Sequence, residues 1–372
     1  MSEKRSRKKS DDIRMVLSPA TEERKRQTEA SMLAFPDGRL LVAYSDFYTA
    51  EGADEGPAQI AGRWSRDEGL SWGEPFVLQE NIGKLNCMSA SLLQLPAGLP
   101  RAGSSGLPRA ESRGRILLAF GRKDAQPTLL HAMVKYSDDQ GKTWSPPKDI
   151  TRGDRYWCIT NDRLIRLSGG RILYPLESGG GERESCVWYS DDDGGSWRMS
   201  TGNVSAPAGL YYAEPTVVEL KDGRVAMYIR TTSGNIHIAL SEDRGENWRL
   251  HKGAPPDMAG HPDAGPNAAY SPCMVKRVPS TGDLLLVWNN NRVRTPLTAA
   301  ISGDEGETWR HFRNLEEMDG WPPKLTHTYP SVTIFKDNVH LTYWEAQKFS
   351  QTKFLMHLKY RRLPIGWFYE RP

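Results

Sequence analysis

The stretch Ser190-Asp-Asp-Asp-Gly-Gly-Ser-Trp197 is one of five copies of the pattern S-x-D-x-G-x-x-W in this chain of 372 residues. The other copies are Ser65–Trp72, Ser137–Trp144, Ser241–Trp248 and Ser302–Trp309. In each copy the Asp can accept hydrogen bonds from the amides of a tight turn, the Gly supplies unusual dihedral angles and the Trp packs against a neighbouring strand. We interpret the five acids as structural residues of turns, called the Ser–Trp turns below, and not as a metal or acid cluster.

A second repeat consists of two apolar runs joined by a tight turn. It occurs at Ser31–Tyr44, Arg113–Phe120, Gly169–Tyr174, Asp222–Tyr228, Thr281–Trp288 and Lys336–Tyr343. Asp-Gly and Gly-Gly between strand-like runs are strong hairpin signals, because these residues accept the positive φ that such turns require. The first five hairpins are each followed by a Ser–Trp turn, so the chain contains six repeated units.

Two hairpins per unit predict four-stranded antiparallel sheets, and six units predict an all-β, six-bladed propeller. One such sheet cannot bury both of its faces alone, but sheets can stack on their neighbours around an axis. The strand-like segment Ile13–Ser18 has no hairpin partner, so we expect it to complete the last blade. Residues 1–12 are predicted to be a disordered basic tail, residues 13–372 a single domain, and Pro96–Ser112 a surface loop.

The composition excludes several classes of protein. The 34 glycines and 25 prolines favour many short strands over long helices, and a net charge of +3 does not indicate a nucleic-acid partner. No apolar run approaches the roughly 18 residues of a membrane span, so no membrane partner is predicted. The four cysteines lack the spacing of a zinc site, and we predict no cofactor and no metal. No apolar signal segment follows the basic start, so the expected location is the cytoplasm; the oligomeric state stays open.

Polar residues occupy the positions where strands reach one mouth of the predicted ring. At the starts of the first strands these are Glu29, Asn86, Asp162, Glu214, Ser271 and Tyr329, and at the ends of the second strands Asp46, Arg122, Glu177, Arg230, Asn289 and Glu345. The Ser–Trp turns fall at the opposite end by the same geometry. Acids and arginines around a concave mouth favour a hydroxyl-rich ligand, most simply a sugar. From this ring Glu29, Arg122, Asp162, Glu177 and Asn289 are predicted to bind substrate.

The Ser–Trp turns resemble the Asp boxes, or BNR repeats, of the sialidase (neuraminidase) superfamily, and the resemblance covers nearly the whole chain. The stretch Tyr212-Ala-Glu-Pro-Thr-Val-Val, with Arg230 sixteen residues after Glu214, resembles the family segment in which a glutamate precedes a substrate-binding arginine. Arg294 resembles the next arginine of the family's triad, and Tyr329 its nucleophilic tyrosine. The resemblance implies a six-bladed propeller that hydrolyses terminal glycosidic bonds of glycans with retention.

By this resemblance Glu214 would accept the proton of Tyr329, because a phenol with an unperturbed pKa near 10 is otherwise a poor nucleophile. The family's acid/base aspartate would lie in the loop after the first hairpin, where this chain has Asp46, Glu51 and Asp54. Spacing favours Asp54 and strand position favours Asp46, so both are predicted as candidates.

The first unit departs from the family. Sialidases of this type have Arg-Ile-Pro there, which supplies the first arginine of the carboxylate clamp, whereas this chain has Thr28-Glu29-Ala30-Ser31. Because Glu29 would repel a sialic acid carboxylate, we expect a different glycoside unless Arg26 reaches in from upstream. A non-catalytic carbohydrate-binding propeller, or a polysaccharide lyase that uses Tyr329 to abstract a proton, is the alternative function.

Overall fold

The computed structural model describes residues 12–97, 114–151, 153–179, 183–251, 268–348 and 354–370. Nearly all of the predicted tail and most of the predicted loop at residues 96–112 lie outside these ranges. Within them the chain forms 26 strands, one 3-10 helix and no α-helix. The predicted all-β class is therefore confirmed, and none of the described segments is a helix long and apolar enough to cross a bilayer.

The strands are numbered in chain order. The first nine are β1 (Ile13–Ser18), β2 (Arg26–Ala34), β3 (Leu40–Phe47), β4 (Ala58–Ser65), β5 (Phe76–Gln79), β6 (Asn86–Gln94), β7 (Ile116–Ala125), β8 (Leu129–Ser137) and β9 (Lys148–Asp149). The next ten are β10 (Trp157–Cys158), β11 (Ile165–Arg166), β12 (Ile172–Ser178), β13 (Glu184–Ser190), β14 (Arg198–Met199), β15 (Val204–Ser205), β16 (Tyr212–Glu219), β17 (Val225–Thr231), β18 (His237–Ser241) and β19 (Arg249–Leu250). The last seven are β20 (Met274–Arg277), β21 (Leu284–Asn289), β22 (Leu297–Ser302), β23 (Arg310–Glu316), β24 (Leu325–Phe335), β25 (Asn338–Lys348) and β26 (Phe354–Pro364), followed by the 3-10 helix Ile365–Tyr369.

The six predicted hairpins are confirmed as antiparallel pairs: β2 with β3, β6 with β7, β11 with β12, β16 with β17, β20 with β21 and β24 with β25. Their turns need left-handed residues. Gly38 has a φ of 90°, and its amide donates to the Phe35 carbonyl at 2.9 Å. Gly223 closes the turn between β16 and β17 in the same way, with a φ of 88°.

Backbone pairing groups the described strands into five sheets, whereas six separate sheets were predicted. Three are four-stranded meanders, β6–β9, β16–β19 and β20–β23, and β10–β15 form a fourth sheet. In the fifth sheet β24-β25-β26 continues into β2-β3-β4-β5, because Arg26 of β2 pairs in parallel with Met356 of β26. The strand β1 pairs antiparallel with β26, so the two ends of the chain share one sheet.

The apolar core lies between neighbouring sheets. Leu117 of the sheet β6–β9 belongs to the same buried cluster as Trp197, which follows β13. The rings of Tyr228 and Trp309 meet edge to face at 6.3 Å between the sheets β16–β19 and β20–β23. Another cluster joins β2 and β3 to β26. Each sheet therefore buries its apolar face against a neighbour.

The Ser–Trp turns are closed by their own side chains. In the copy after β18, Asp243 accepts hydrogen bonds from Ser241 Oγ at 2.8 Å, from the Asn247 amide at 2.8 Å and from Asn247 Nδ2 at 2.8 Å. The indole of Trp248 donates to the Gly245 carbonyl at 3.1 Å. The carboxylate thus satisfies turn amides that no strand partner reaches.

We expect Asp243→Ala to lower the free energy of unfolding by about 1–2 kcal/mol, because several hydrogen bonds to one carboxylate are lost. Urea denaturation measures the change. The control is Glu242→Ala, which removes an exposed ion pair with Arg249 and should cost less than about 0.5 kcal/mol. Equal losses in the two variants would show that the Asp243 bonds do not stabilise the turn.

Candidate active site

Three side chains from three strands meet in a buried contact. Tyr329 of β24 donates its hydroxyl to Glu214 Oε1 of β16 at 2.6 Å. Arg230 of β17 donates to the other carboxylate oxygen of Glu214, and its Nη1 lies 3.4 Å from Tyr329 Oη. The Nε of Arg230 is buried without a hydrogen-bond partner among the described residues. The structure therefore brings together three of the predicted residues.

Backbone bulges aim these side chains. Glu214 has a φ of 42° and Tyr329 a φ of 56°, and each lies where the pairing register shifts, in β16 and β24. Glu29 in β2 and Ser89 in β6 repeat this conformation, with φ of 54° and 62°. A left-handed non-glycine residue in a bulge re-aims the strand, and such bulges are frequent beside active sites.

The charges in this contact depend on one another. Burial by itself would raise the pKa of Glu214, but the Arg230 charge and the hydrogen bonds from Tyr329 and Arg230 outweigh it, so the pKa lies below its ordinary value. Burial and the Glu214 charge raise the pKa of Tyr329 well above its ordinary value. The resting site therefore holds an ionised carboxylate against a protonated phenol.

Aromatic rings and a second guanidinium group surround Tyr329. Trp344 stacks on its ring with centroids 5.8 Å apart and an interplanar angle of 23°. The Arg294 guanidinium carbon lies 5.8 Å from the Tyr329 ring centroid, and Arg294 donates to the Tyr270 carbonyl at 3.3 Å. The Tyr270 ring packs against Arg230, 3.7 Å from the guanidinium carbon. Arg294 is thus placed beside Tyr329, as the family resemblance implies.

A second set of charged side chains comes from the first unit and is centred on Arg26. This buried guanidinium donates to Glu29 Oε1 at 2.6 Å and to Asp54 Oδ1 at 2.5 Å. The Glu29 side chain is 3% exposed and also accepts from Ser45 and Ser89, whereas the Asp54 side chain is 55% exposed. Glu29 is therefore a neutralised, fixed partner of Arg26, and Asp54 is the partner that can be exchanged.

The loop that carries Asp54 is anchored on the next sheet. Asn86 Nδ2 donates to the Asp54 carbonyl at 2.8 Å, and Lys123 Nζ donates to the same carbonyl at 3.0 Å. The Arg26 charge lowers the pKa of Asp54 to about 2, against the opposing effect of burial and with help from Lys123 and Arg294. Asp54 is therefore ionised while it remains paired with Arg26.

Glu177 of β12 is almost completely buried, and the charges of Glu214 and Arg230 act on it. Arg183 Nη1 approaches Glu177 Oε1 at 3.2 Å. Burial raises the pKa of Glu177 to about 7, and the charge of Glu214 adds to the rise while Arg183 and Arg230 oppose it. Carboxyl groups with strongly shifted pKa values are frequent at functional sites.

Two predicted residues serve other contacts near the strand ends. Asp46 is buried and accepts hydrogen bonds from Arg24, from Gln27 Nε2 at 2.8 Å and from Gln59 Nε2 at 3.1 Å. Both oxygens of the Asp46 carboxylate therefore accept hydrogen bonds from residues of the first unit. Arg122 pairs with Asp124 at 3.0 Å.

Two other predicted residues link strands. Asp162 accepts from Ser31 Oγ at 3.0 Å and from the Val332 amide at 3.2 Å, so it connects three units. Asn289 accepts from Ser271 Oγ at 2.8 Å and donates to the His327 carbonyl at 2.7 Å. Both side chains are buried in these contacts.

Three further residues at the site were not predicted from the sequence: Lys123, Trp344 and Tyr270. Lys123 follows Arg122 directly, and successive residues of a strand point to opposite faces. Because Arg122 was predicted to point into the site, Lys123 was expected to point away from it. The pairing of Lys123 with Asn86 in the hairpin β6–β7 is the signal that could have identified it. In the sequence, Trp344 and Tyr270 resemble ordinary aromatic residues of a core or a loop. No group of three His, Cys, Asp or Glu side chains suited to a metal ion occurs within the described part of the chain.

Comparisons with known proteins show the family of this chain. The family described as "BNR repeat-like domain" matches residues 38–341. This chain belongs to the sialidase/BNR superfamily. The chain is 29% identical to a sialidase of Micromonospora viridifaciens over 299 residues, which cover 74% of this chain and 44% of that protein. It is 28% identical to a sialidase of Bacteroides fragilis over 210 residues, which cover 53% of this chain and 37% of that protein. The chain thus spans less than half the length of these two curated relatives.

Solved structures share the fold. The intramolecular trans-sialidase of Ruminococcus gnavus, in complex with oseltamivir carboxylate, superposes with a TM-score of 0.68 at 17% identity and covers 94% of this chain and 97% of that one. A protein of unknown function from Dyadobacter fermentans superposes with a TM-score of 0.71 at 19% identity over 96% of this chain and 99% of that one. The membership expected from the Ser–Trp turns is confirmed.

We expect Glu177→Gln to stabilise the protein in a pH-dependent way. The folded-state pKa of about 7 exceeds the ordinary value of 4.5, so the unfolded chain releases this proton first and stability falls as the pH rises between these values. Replacing the carboxyl should therefore raise the free energy of unfolding by about 1–3 kcal/mol at pH 8 and change it little at pH 4. Urea denaturation at both pH values measures this. The opposite result is a variant whose free energy of unfolding, relative to that of wild type, is lower at pH 8 than at pH 4. It would mean that Glu177 is a stabilising ionised partner of Arg183.

Proposed function

We propose that this chain is a retaining exo-glycoside hydrolase of the sialidase type, which removes a terminal sugar from a glycan with Tyr329 as nucleophile and Glu214 as base. The observation that carries the proposal is the 2.6 Å hydrogen bond from Tyr329 Oη to a Glu214 carboxylate whose other oxygen is held by Arg230. A nucleophile in contact with an ionised base is the arrangement that covalent catalysis needs.

We also propose that the units close into a six-bladed propeller with this site at one mouth. Buried apolar clusters join each unit to the next, and one cluster joins β2 and β3 to β26. The parallel pairing of Arg26 with Met356 links the first and last units as well. A ring of sheets would gather the starts of β2, β16 and β24 around a common axis.

In the proposed first step, Tyr329 Oη attacks the anomeric carbon and its proton moves to Glu214 Oε1. The glycosidic bond breaks, and an acid protonates the departing oxygen. Arg230 balances the negative charge that Glu214 and Tyr329 share before transfer. Tyrosine replaces a carboxylate nucleophile in sialidases, and a neutral nucleophile avoids repulsion from a carboxylated sugar.

In the second step, water attacks the anomeric carbon of the sugar–tyrosine intermediate. The group that acted as acid now takes a proton from that water, and Glu214 returns its proton to Tyr329 Oη. The sugar leaves with its original configuration, because the anomeric carbon has been inverted twice. Trp344 holds the phenol ring against rotation during both steps.

Asp54 is the acid that we favour. Its side chain is exposed to the mouth, whereas the oxygens of Asp46 are buried in contacts with Arg24, Gln27 and Gln59. In the resting site Arg26 keeps Asp54 ionised, so an acid role requires that this ion pair loosens when substrate binds. An anionic group on the substrate would compete for Arg26 and allow Asp54 to take up a proton.

The substrate that we propose is a glycoside of a carboxylated sugar such as sialic acid. The repulsion expected from Glu29 is reduced, because Arg26 neutralises this carboxylate at 2.6 Å. Arg230 and Arg294 flank Tyr329 and supply two guanidinium groups. The relatives described as sialidases support this substrate class.

Tyr329→Phe is expected to lower kcat on an aryl sialoside by more than about a hundredfold, because the nucleophile is lost, while the affinity for the product sugar changes less than about threefold. Tyr343→Phe is the matched control, since its hydroxyl also donates to a glutamate, Glu316, outside the site. Retained turnover in Tyr329→Phe would contradict the tyrosine route. If wild type binds aryl glycosides of sialic acid, uronic acid, rhamnose, fucose or galactose but hydrolyses none of them, the chain is a carbohydrate-binding protein. An unsaturated product that absorbs in the near ultraviolet would indicate a lyase.

Leaving-group dependence separates the two acid candidates. Asp54→Asn should reduce kcat/KM by about a hundredfold for substrates with poor leaving groups and much less for a nitrophenyl glycoside, which departs without protonation. Asp46→Asn should show no such dependence, because Asp46 serves contacts within its own unit. Steady-state kinetics on the two substrates measure both variants. A leaving-group effect confined to Asp46→Asn would reverse the assignment.

A further inference from the structure

A cleft of about 760 Å³ opens next to the Tyr329 site. Its lining includes Asp154, Arg155, Arg183, Tyr211, Thr232 and Tyr270. We call it the tyrosine cleft. Its volume falls in the range of clefts that enclose small ligands. None of the residues that carry the proposed chemistry lines it.

Two contacts make the tyrosine cleft continuous with the site. The Tyr270 ring forms part of the cleft wall and packs at 3.7 Å against the guanidinium carbon of Arg230, which holds Glu214. Arg183 forms another part of the wall and pairs with Glu177 at 3.2 Å. A ligand in the cleft would therefore be next to the sugar bound at Glu214, and the two could be parts of one molecule.

The aromatic lining suits a sugar. Tyr211 is 51% exposed and Tyr270 is 38% exposed. Exposed rings in a concave surface are a binding feature, since they give contact area at a low cost in side-chain entropy and their hydroxyls still form hydrogen bonds. Thr232 holds the Tyr211 backbone through a 3.0 Å hydrogen bond, which fixes one wall.

The charged lining suits an anion. Arg155 and Arg183 are exposed, and Asp154 is the single acid among the lining residues. The Arg183 guanidinium lies 5.5 Å from the Tyr211 ring centroid, so a cation and an aromatic face are presented side by side. A guanidinium group binds a carboxylate through two parallel hydrogen bonds.

We propose that the tyrosine cleft binds the second sugar of an acidic glycan, the one from which the terminal sugar is cleaved, and that this second sugar carries its own carboxylate. Its ring lies against Tyr211 and Tyr270, and its carboxylate contacts Arg155 and Arg183. This inference rests on the proposed function, because it assigns the leaving group of that same reaction.

The test compares three substrates: an aryl sialoside, sialyllactose, and a disialyl lactose in which the second sugar is also a sialic acid. Wild type is expected to favour disialyl lactose over sialyllactose by about tenfold in kcat/KM. Tyr211→Ala and Arg155→Ala should each raise KM for disialyl lactose about five- to thirtyfold. Their kinetics on the aryl sialoside should stay within about twofold of wild type, because that substrate has no second sugar.

Matched controls lie outside the cleft. Tyr136 is also 38% exposed and packs under Arg115, and Arg198 is an exposed arginine paired with Asp191. Tyr136→Ala and Arg198→Ala should leave all three substrates unchanged. Equal losses on the aryl sialoside and on disialyl lactose would overturn the inference, and so would the absence of any preference for the second carboxylate.

A binding measurement separates failure of this inference from failure of the proposed function. If wild type hydrolyses no aryl sialoside, the proposed function fails. The affinity of disialyl lactose is then measured by calorimetry with Tyr329→Phe alone and with Tyr329→Phe combined with Arg155→Ala. Binding that weakens at least fivefold in the combined variant supports the tyrosine cleft as a glycan site, and absent or equal binding overturns it.

Discussion

The hydrogen bond between Tyr329 and Glu214 is the interaction on which the account of this site depends. A carboxylate and a phenol that are both buried would each lose their charged form, because burial disfavours ionisation. Arg230 reverses this for Glu214 alone, so the pair consists of an ionised base and a protonated acid in direct contact. Proton transfer between them then needs no movement of either residue.

The strands supply this contact through a conformation that ordinary pairing does not allow. Glu214 and Tyr329 lie at bulges of β16 and β24 with positive φ, and Glu29 and Ser89 have the same geometry in β2 and β6. Left-handed backbone is unfavourable for non-glycine residues, and it persists where the surrounding structure imposes it. The rigid sheets on either side, packed through buried aromatic residues, impose it here.

Much of the fold could be predicted from the sequence, because turns and strand alternation are local properties. The six hairpins and the five Ser–Trp turns follow from glycine positions and apolar periodicity. The extension of the last sheet into β2 could not be predicted, since it depends on one long-range parallel pairing of Arg26 with Met356. The order of Glu214, Arg230, Arg294 and Tyr329 along the chain was informative because it resembles the order in the family. Glu214 and Tyr329 also share the bulge position in the first strand of their units.

The details of the site could not be predicted, since they depend on which face of a strand a residue occupies. Arg122 and Lys123 are neighbours, and only the pairing register shows that Lys123 reaches the Asp54 loop. From the sequence, the charge of Glu29 was expected to repel a sialic acid carboxylate. In the structure this charge is paired with Arg26, three residues earlier in the same bulged strand. Bulges shift the alternation of side chains, so spacing alone misassigns the residues on either side of them.

Trapping the covalent intermediate tests the central claim most directly. A fluorinated sialic acid that forms the intermediate but slows its hydrolysis would be incubated with the protein, which is then digested and analysed by mass spectrometry. We predict one sugar adduct, on the peptide that contains Tyr329 and at that residue, and no adduct in Glu214→Gln on the same time scale. An adduct on Glu29, Glu214 or another carboxylate would contradict the account.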